Sequence, residues 1–185
     1  MDTKTKDVSH IHQWARLMAR LQARACVISR ITGMSNAASR RMWHQIYGKG
    51  SPSGQQPADD TWFLKTGLRR AHAALILQLY AQSSQHLPQY AAFTHAYYHY
   101  ARITAGLNER HTWDDDPAFR SSEDDYVIPF SRAYFLVLIY TDEEMADGTR
   151  KCKLQVRRCR SCGALYLSHT EEISRKCPGC MSKKT

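Results

Sequence analysis

The sequence predicts a mainly α fold: a helical body with a helix-turn-helix-like N-terminal part, and a small C-terminal module organised by four cysteines. Three observations carry this expectation. Apolar residues recur at three- and four-residue steps over much of positions 11–107, the pattern of helices buried on one face. Clusters of Gly, Pro and Ser separate those stretches. Two Cys-x-x-Cys pairs, Cys159/Cys162 and Cys177/Cys180, sit near the C-terminal end. Hydrophobic residues make up 43% of the 185, enough to build a packed core.

Ile11, Trp14, Leu17, Met18, Leu21, Ala25 and Ile28 follow the helical period, and Arg16, Arg20 and Arg24 line another face. One amphipathic helix over 11–28 is expected. The pattern breaks near Gly33, and Ser35 suits the N-cap of a second helix reaching about Tyr47. Residues 25–47 thus look like a helix-turn-helix, with Ile28, Gly33, Met34 and Met42 at core and turn positions. Ser29, Thr32 and Ser39 stand where that motif usually has apolar residues. The helix opening at Ser35 is expected to expose Asn36, Ser39, Arg40 and Arg41, residue types that read base edges or grip phosphates. Ser35 itself and Lys49, just past the helix, complete this group of candidate DNA contacts.

Gly48 to Asp60 holds three glycines and two prolines and reads as a loop, which Trp62-Phe63 would dock. Leu64 to Ser84 is apolar on most sides, as a central helix would be. Pro88 marks a further helix start, and Tyr90, Phe93, Tyr97, Tyr100, Ile103 and Leu107 form an aromatic stripe. Such a stripe suits a core or a subunit interface. Residues 108–125 read as an acidic loop containing Asp114, Asp115, Asp116, Glu123, Asp124 and Asp125. Pro129 to Tyr140 is strongly apolar, and its propensities leave helix and strand both open. Asp147-Gly148 signals a hairpin, Cys152, Leu154 and Val156 alternate as in a strand, and Ala164–Leu167 can pair with them. Residues 1–148 are therefore expected to form a helical DNA-binding and oligomerisation domain, and 149–185 a zinc-ribbon-like module.

The cysteine spacing carries the chemistry. Two residues between thiolates let a tight turn aim both sulfurs at one ion, and Gly163 and Gly179 permit such turns. Two such knuckles, fourteen residues apart, give a tetrahedron suited to one structural Zn²⁺ at Zn–S of about 2.3 Å. An iron–sulfur cluster or a redox dithiol pair would use the same ligands. Four protein thiolates leave no open position for substrate or water, so this metal is not expected to be catalytic. Paired cysteines of this kind also point to a reducing compartment. Cys26 is expected to be buried in its helix.

Charge is distributed unevenly. Residues 1–72 carry 12 basic and 4 acidic side chains, 149–185 carry 10 and 2, and 73–148 carry 4 and 11. Two basic ends predict contact with a polyanion. Arg157, Arg158 and Arg160 flank the first knuckle, and Arg175 and Lys176 precede the second, so a metal would draw these five cations onto one surface able to contact phosphates. The same cations would also offset the negative charge of four thiolates. The apolar run Phe135–Tyr140 falls far short of the roughly 20 residues of a membrane span, and the polar N-terminus leads into no secretory h-region. Neither a membrane nor secretion is expected. His95 and His99 lie one helical turn apart without a third ligand, and no phosphate-cradling glycine loop occurs; an enzyme is not expected.

The run Ser35…Arg40-Arg41…Tyr47-Gly48…Pro52…Gly54…Pro57…Trp62-Phe63, the segment Ser131-Arg-Ala-Tyr134 and the paired cysteines with Cys162-Gly163 resemble the flagellar transcriptional activator FlhC family. The resemblance covers most of the chain. It implies an activator subunit of the bacterial cytoplasm that joins a small helical D-type partner, binds double-stranded promoter DNA and recruits RNA polymerase. It also implies that Cys159, Cys162, Cys177 and Cys180 bind zinc. The acidic segment and the Asp142–Thr149 hairpin look like additions, and only five residues follow Cys180, fewer than in flagellar members. Relatives on conjugative elements switch on transfer genes, so conjugative-transfer or flagellar genes are the expected targets. The alternative function is a zinc-ribbon adaptor that binds RNA or a protein without reading DNA sequence.

Overall fold

The computed structural model describes residues 3–105, 128–141 and 152–182. In chain order these form α1 (Thr3–Arg20), α2 (Ala25–Thr32), α3 (Asn36–Tyr47), a short 3-10 helix (Thr61–Leu64), α4 (Gly67–Ser83), α5 (Gln89–Ala105), α6 (Phe130–Thr141), β1 (Leu154–Arg158), β2 (Leu165–His169) and α7 (Pro178–Met181). The described residues are mostly helical with one two-stranded sheet, as predicted. The acidic stretch at 108–125 and the Asp147-Gly148 hairpin lie outside the described residues. No described helix is long and apolar enough to cross a membrane. The chain makes two compact units, residues 1–56 with 83–120, and residues 57–82 with 121–185.

In the first unit the single helix expected over 11–28 is two helices. Gln22 takes a left-handed backbone (φ 64°). Its N–H donates to the Ala19 carbonyl and that of Ala23 to the Met18 carbonyl, each at 2.9 Å, which is the Schellman way of ending a helix. Glycine usually fills that position. Here Gln22 is held by its own side chain, whose Nε2 donates to Tyr47 Oη at 2.9 Å, while Tyr47 Oη donates to the Ala19 carbonyl at 2.9 Å. Leu21, Ala23 and Ala25 are all buried, so the link is apolar at every second residue and does not interrupt the hydrophobic pattern read from sequence.

Between α2 and α3 the turn is built by hydroxyls. Gly33 (φ 72°) caps α2 with its N–H on the Ser29 carbonyl, a backbone region that a Cβ disfavours. Ser29 Oγ donates to the Met34 carbonyl at 2.6 Å, and Thr32 Oγ1 donates to the Ile28 carbonyl at 2.7 Å while accepting from Met34 N at 3.3 Å. Two of the departures from the apolar helix-turn-helix pattern are therefore clasps of the turn itself. Val27, Ile28, Met42 and Trp43 are buried. Ser51 Oγ accepts from Ala25 N at 2.9 Å, so the loop after α3 returns to cap α2. Cys26, expected inside, is exposed with Gln56 Nε2 at 3.0 Å from its sulfur; the buried face of α2 is Ala25, Val27 and Ile28, and position 26 falls off it.

Pro88 opens α5 as expected, its carbonyl accepting from Ala91 and Ala92. Phe93, Tyr97 and Tyr100 are interior, and burial pushes the Tyr97 phenol well above its ordinary pKa. His95 Nδ1 lies 3.0 Å from Ser83 Oγ, and the two Nε2 atoms of His95 and His99 are 3.1 Å apart.

In the second unit Trp62 and Phe63 are buried in the 3-10 helix. The guanidinium groups of Arg69 (3.9 Å to the ring centre) and Arg132 (4.3 Å) both lie over the Trp62 ring. The Phe63 and Phe135 rings stack at 6.4 Å. Pro129–Tyr140, open between helix and strand, is helical. Its buried apolar residues Phe130, Ala133, Leu136 and Val137 recur at three- and four-residue steps, so one face packs. β1 and β2 pair antiparallel, with Val156 opposite Leu167.

Candidate metal centre and nucleic-acid interface

The end of β1 delivers Cys159. Its N–H donates to the Ala164 carbonyl at 2.8 Å and its carbonyl accepts from Gly163 N at 2.9 Å. Gly163 is left-handed (φ 74°), which closes the first knuckle. Cys177 precedes α7, and its carbonyl accepts from Cys180 N and Met181 N, forming the second. Arg160 N–H donates to the Arg175 carbonyl at 3.0 Å and joins the two. All four sulfurs lie within 4.8 Å of one another, with Cys162 and Cys177 at 3.7 Å. A tetrahedron of ~2.3 Å metal–sulfur bonds has edges of about 3.8 Å, so these residues can hold one metal ion, and the geometry is compatible with zinc. Among the described residues this is the one such group of three or more potential ligands; His95 and His99 gain no third partner.

The electrostatics fit thiolate ligation. Backbone N–H groups of Cys177 and Cys162 directed at Cys159 lower its thiol to about 6. The thiols of Cys162 and Cys177 push Cys180 up to about 12. Four crowded sulfurs cannot all ionise unaided, and a cation among them removes that conflict.

The flanking cations divide into two groups. Arg157, expected on the phosphate-facing surface, has its guanidinium turned onto its own module. It donates to the carbonyls of Thr170 (3.2 Å), Ser174 (3.3 Å) and Glu172. Strand alternation explains this: Arg157 pairs with Tyr166, which is buried, and the side chain clamps the loop after β2. Arg158 is exposed and donates to the Gly163 carbonyl at 3.2 Å. Arg160, Arg175 and Lys176 are exposed, and none of the three forms an ion pair among the described residues.

The module is docked within its unit by residues that no local pattern announces. Arg70 Nη1 contacts both carboxylate oxygens of Glu172, at 2.7 and 3.0 Å, with both side chains about four-fifths buried (18% and 20% exposed). Arg70 Nε also donates to the Leu64 carbonyl at 3.0 Å. A Cβ on Gly67 would stand 3.0 Å from Pro178 Cβ, so glycine there lets α4 approach the second knuckle.

In the other unit, Asn36, Arg40, Arg41 and Lys49 are exposed on and just after α3. Ser35 is the N-cap, its Oγ accepting from Ala38 N at 3.2 Å. Ser39, expected at the surface, is instead fully buried. It lies three residues before Met42 and four before Trp43, on the inward face of α3, and its Oγ finds no hydrogen-bond partner among the described residues. Ser39→Ala should therefore stabilise the fold by about 1 kcal/mol, since an unsatisfied buried hydroxyl costs roughly 1–3 kcal/mol. Urea denaturation reads this, and a lowered midpoint would mean that the hydroxyl is satisfied. From Val8 to Ala58 there is no carboxylate side chain, against seven Lys and Arg. Arg16, Arg20 and Arg30 are exposed and join the candidate cations; the missing carboxylates are the signal that marks them.

Residues 2–183, nearly the whole chain, match the model of a family described as flagellar transcriptional activator (FlhC), and the chain belongs to that family. No match was found among curated proteins.

Proposed function

We propose that this member of the flagellar transcriptional activator family binds double-stranded promoter DNA through α3 and the cations around it, with the metal-centred module adding phosphate contacts. The family membership makes it a transcriptional activator, a regulator class and not an enzyme class. One observation carries the DNA reading: Asn36, Arg40 and Arg41 stand exposed on a helix that follows a glycine-capped turn, in a 51-residue stretch without a carboxylate. Carboxylates there would repel phosphates, and guanidinium groups suit both phosphates and guanine edges. Arg40, Arg41 and Asn36 are the base-reading candidates. Lys49, Arg158, Arg160, Arg175 and Lys176 contact phosphates, and Ser35 acts through the helix start.

The four cysteines hold one structural Zn²⁺, which supplies folding energy to a module with few large apolar residues. The protein works in the bacterial cytoplasm with a small helical D-type subunit and recruits RNA polymerase to conjugative-transfer or flagellar genes. Footprinting of the full chain on promoter fragments from its host, with and without the partner, tests this. A protected, sequence-defined stretch is expected. Equal affinity for random duplex would favour an adaptor that does not read sequence.

A further inference from the structure

Ile173 is 94% exposed, although the chain on both sides of it is tied down. Before it, Glu172 N–H donates to the His169 carbonyl at 3.1 Å and its carboxylate is held by Arg70. After it, the Ser174 carbonyl accepts from Tyr166 Oη and Arg157 Nη1, each at 3.3 Å. Ser174 Oγ accepts from Lys176 N at 3.3 Å. A loose loop would fold an isoleucine back onto the module; this one presents it at the end of an anchored turn. Met181, 44% exposed, places Sδ 3.2 Å from Oγ of Ser174, the residue after Ile173. Arg175 and Lys176 follow at once, and Arg160 is joined to Arg175 through the backbone. The exposed carboxylate beside this turn, Glu171, lies 3.9 Å from both Lys153 Nζ and His169 Nδ1.

We infer that Ile173 is a wedge that enters the minor groove of bound duplex and inserts between neighbouring base pairs, while Arg160, Arg175 and Lys176 hold the phosphates on either side. The inference rests on the DNA-binding reading above. Duplex DNA sets an apolar base stack between two anionic rails, and an aliphatic tip with Arg175 and Lys176 directly after it complements that arrangement. Apolar side chains used in this way partly unstack one base step and kink the helix. A protein partner would instead have to offer an apolar pocket rimmed by carboxylates.

The test uses the full chain, in the complex from which it is purified, and a duplex that the wild type selects from a random library. 2-Aminopurine is placed at successive positions of that duplex. The wild type is expected to raise fluorescence at one step. Ile173→Ala should abolish the rise and weaken binding about tenfold, whereas Ile173→Leu should keep both. Metal content and melting midpoint should not change, because the side chain faces solvent. If Ile173→Ala binds and unstacks like the wild type, the wedge is wrong and the DNA reading stands. If the wild type selects no duplex, both are wrong. Intact unstacking with weakened capture of a co-purifying protein would make the tip a protein contact and overturn the wedge.

Discussion

Cys177→Ser in the full chain should unfold residues 152–182, with loss of protease resistance across β1, β2 and α7. The sheet has two strands of five residues each, and an isolated pair of that size is marginal in water. Structural zinc sites in small modules supply roughly 10–16 kcal/mol of apparent binding energy, so loss of the site should be nearly complete and not graded. The damage should spread, because Glu172 would release Arg70 and the second knuckle would leave Gly67. Hydrogen exchange with mass spectrometry should show faster exchange over 61–70 as well, in both the mutant and the chelated wild type. Full protection of 152–182 after verified metal removal would disprove a structural role for the ion.

The second large effect concerns α3. Arg40→Ala with Arg41→Ala should lower affinity for promoter duplex by about 100-fold, taking about 1–3 kcal/mol for each guanidinium that contacts a base or phosphate. The slope of log K against log salt should fall by about 0.9 for each phosphate that is no longer neutralised. Both side chains are exposed, so the melting midpoint should hold. Arg157→Ala should do the reverse: the module loses the clamp on three carbonyls and melts earlier, while Arg160 and Arg175 still engage phosphates wherever the fold survives. Titrations at several salt concentrations, alongside thermal melts, separate the two behaviours. Equal loss of stability in both variants would argue against a division between binding and clamping arginines.

Local chemistry explains what the sequence could reveal. Helices α3, α4 and α5 declare themselves through spacing and caps, such as Ser35 before Asn36 and Pro88 before Gln89. The cysteine pairs declare a common site because turn geometry alone brings each pair together. What stayed hidden depends on distant partners. Gln22, which ends α1, is held by Tyr47 from 25 residues away. The inward turn of Ser39 depends on the exact rotation of α3. Arg157 and Arg158 look alike in sequence, and strand alternation with the loop at 170–174 sends one inward. Ile173 reads as an ordinary loop residue until the anchors on both sides are seen.

The contact between Arg70 and Glu172 joins positions 102 apart in the chain, and this sets an order for biosynthesis. At roughly 5–20 residues per second, Arg70 leaves the ribosome many seconds before its acidic partner is made. The α2–α3 turn can close early from hydroxyls within a few residues, but the 57–82 segment must wait for the last stretch of translation. A nascent chain stalled before residue 172 would therefore carry a finished turn beside an uncompleted second unit.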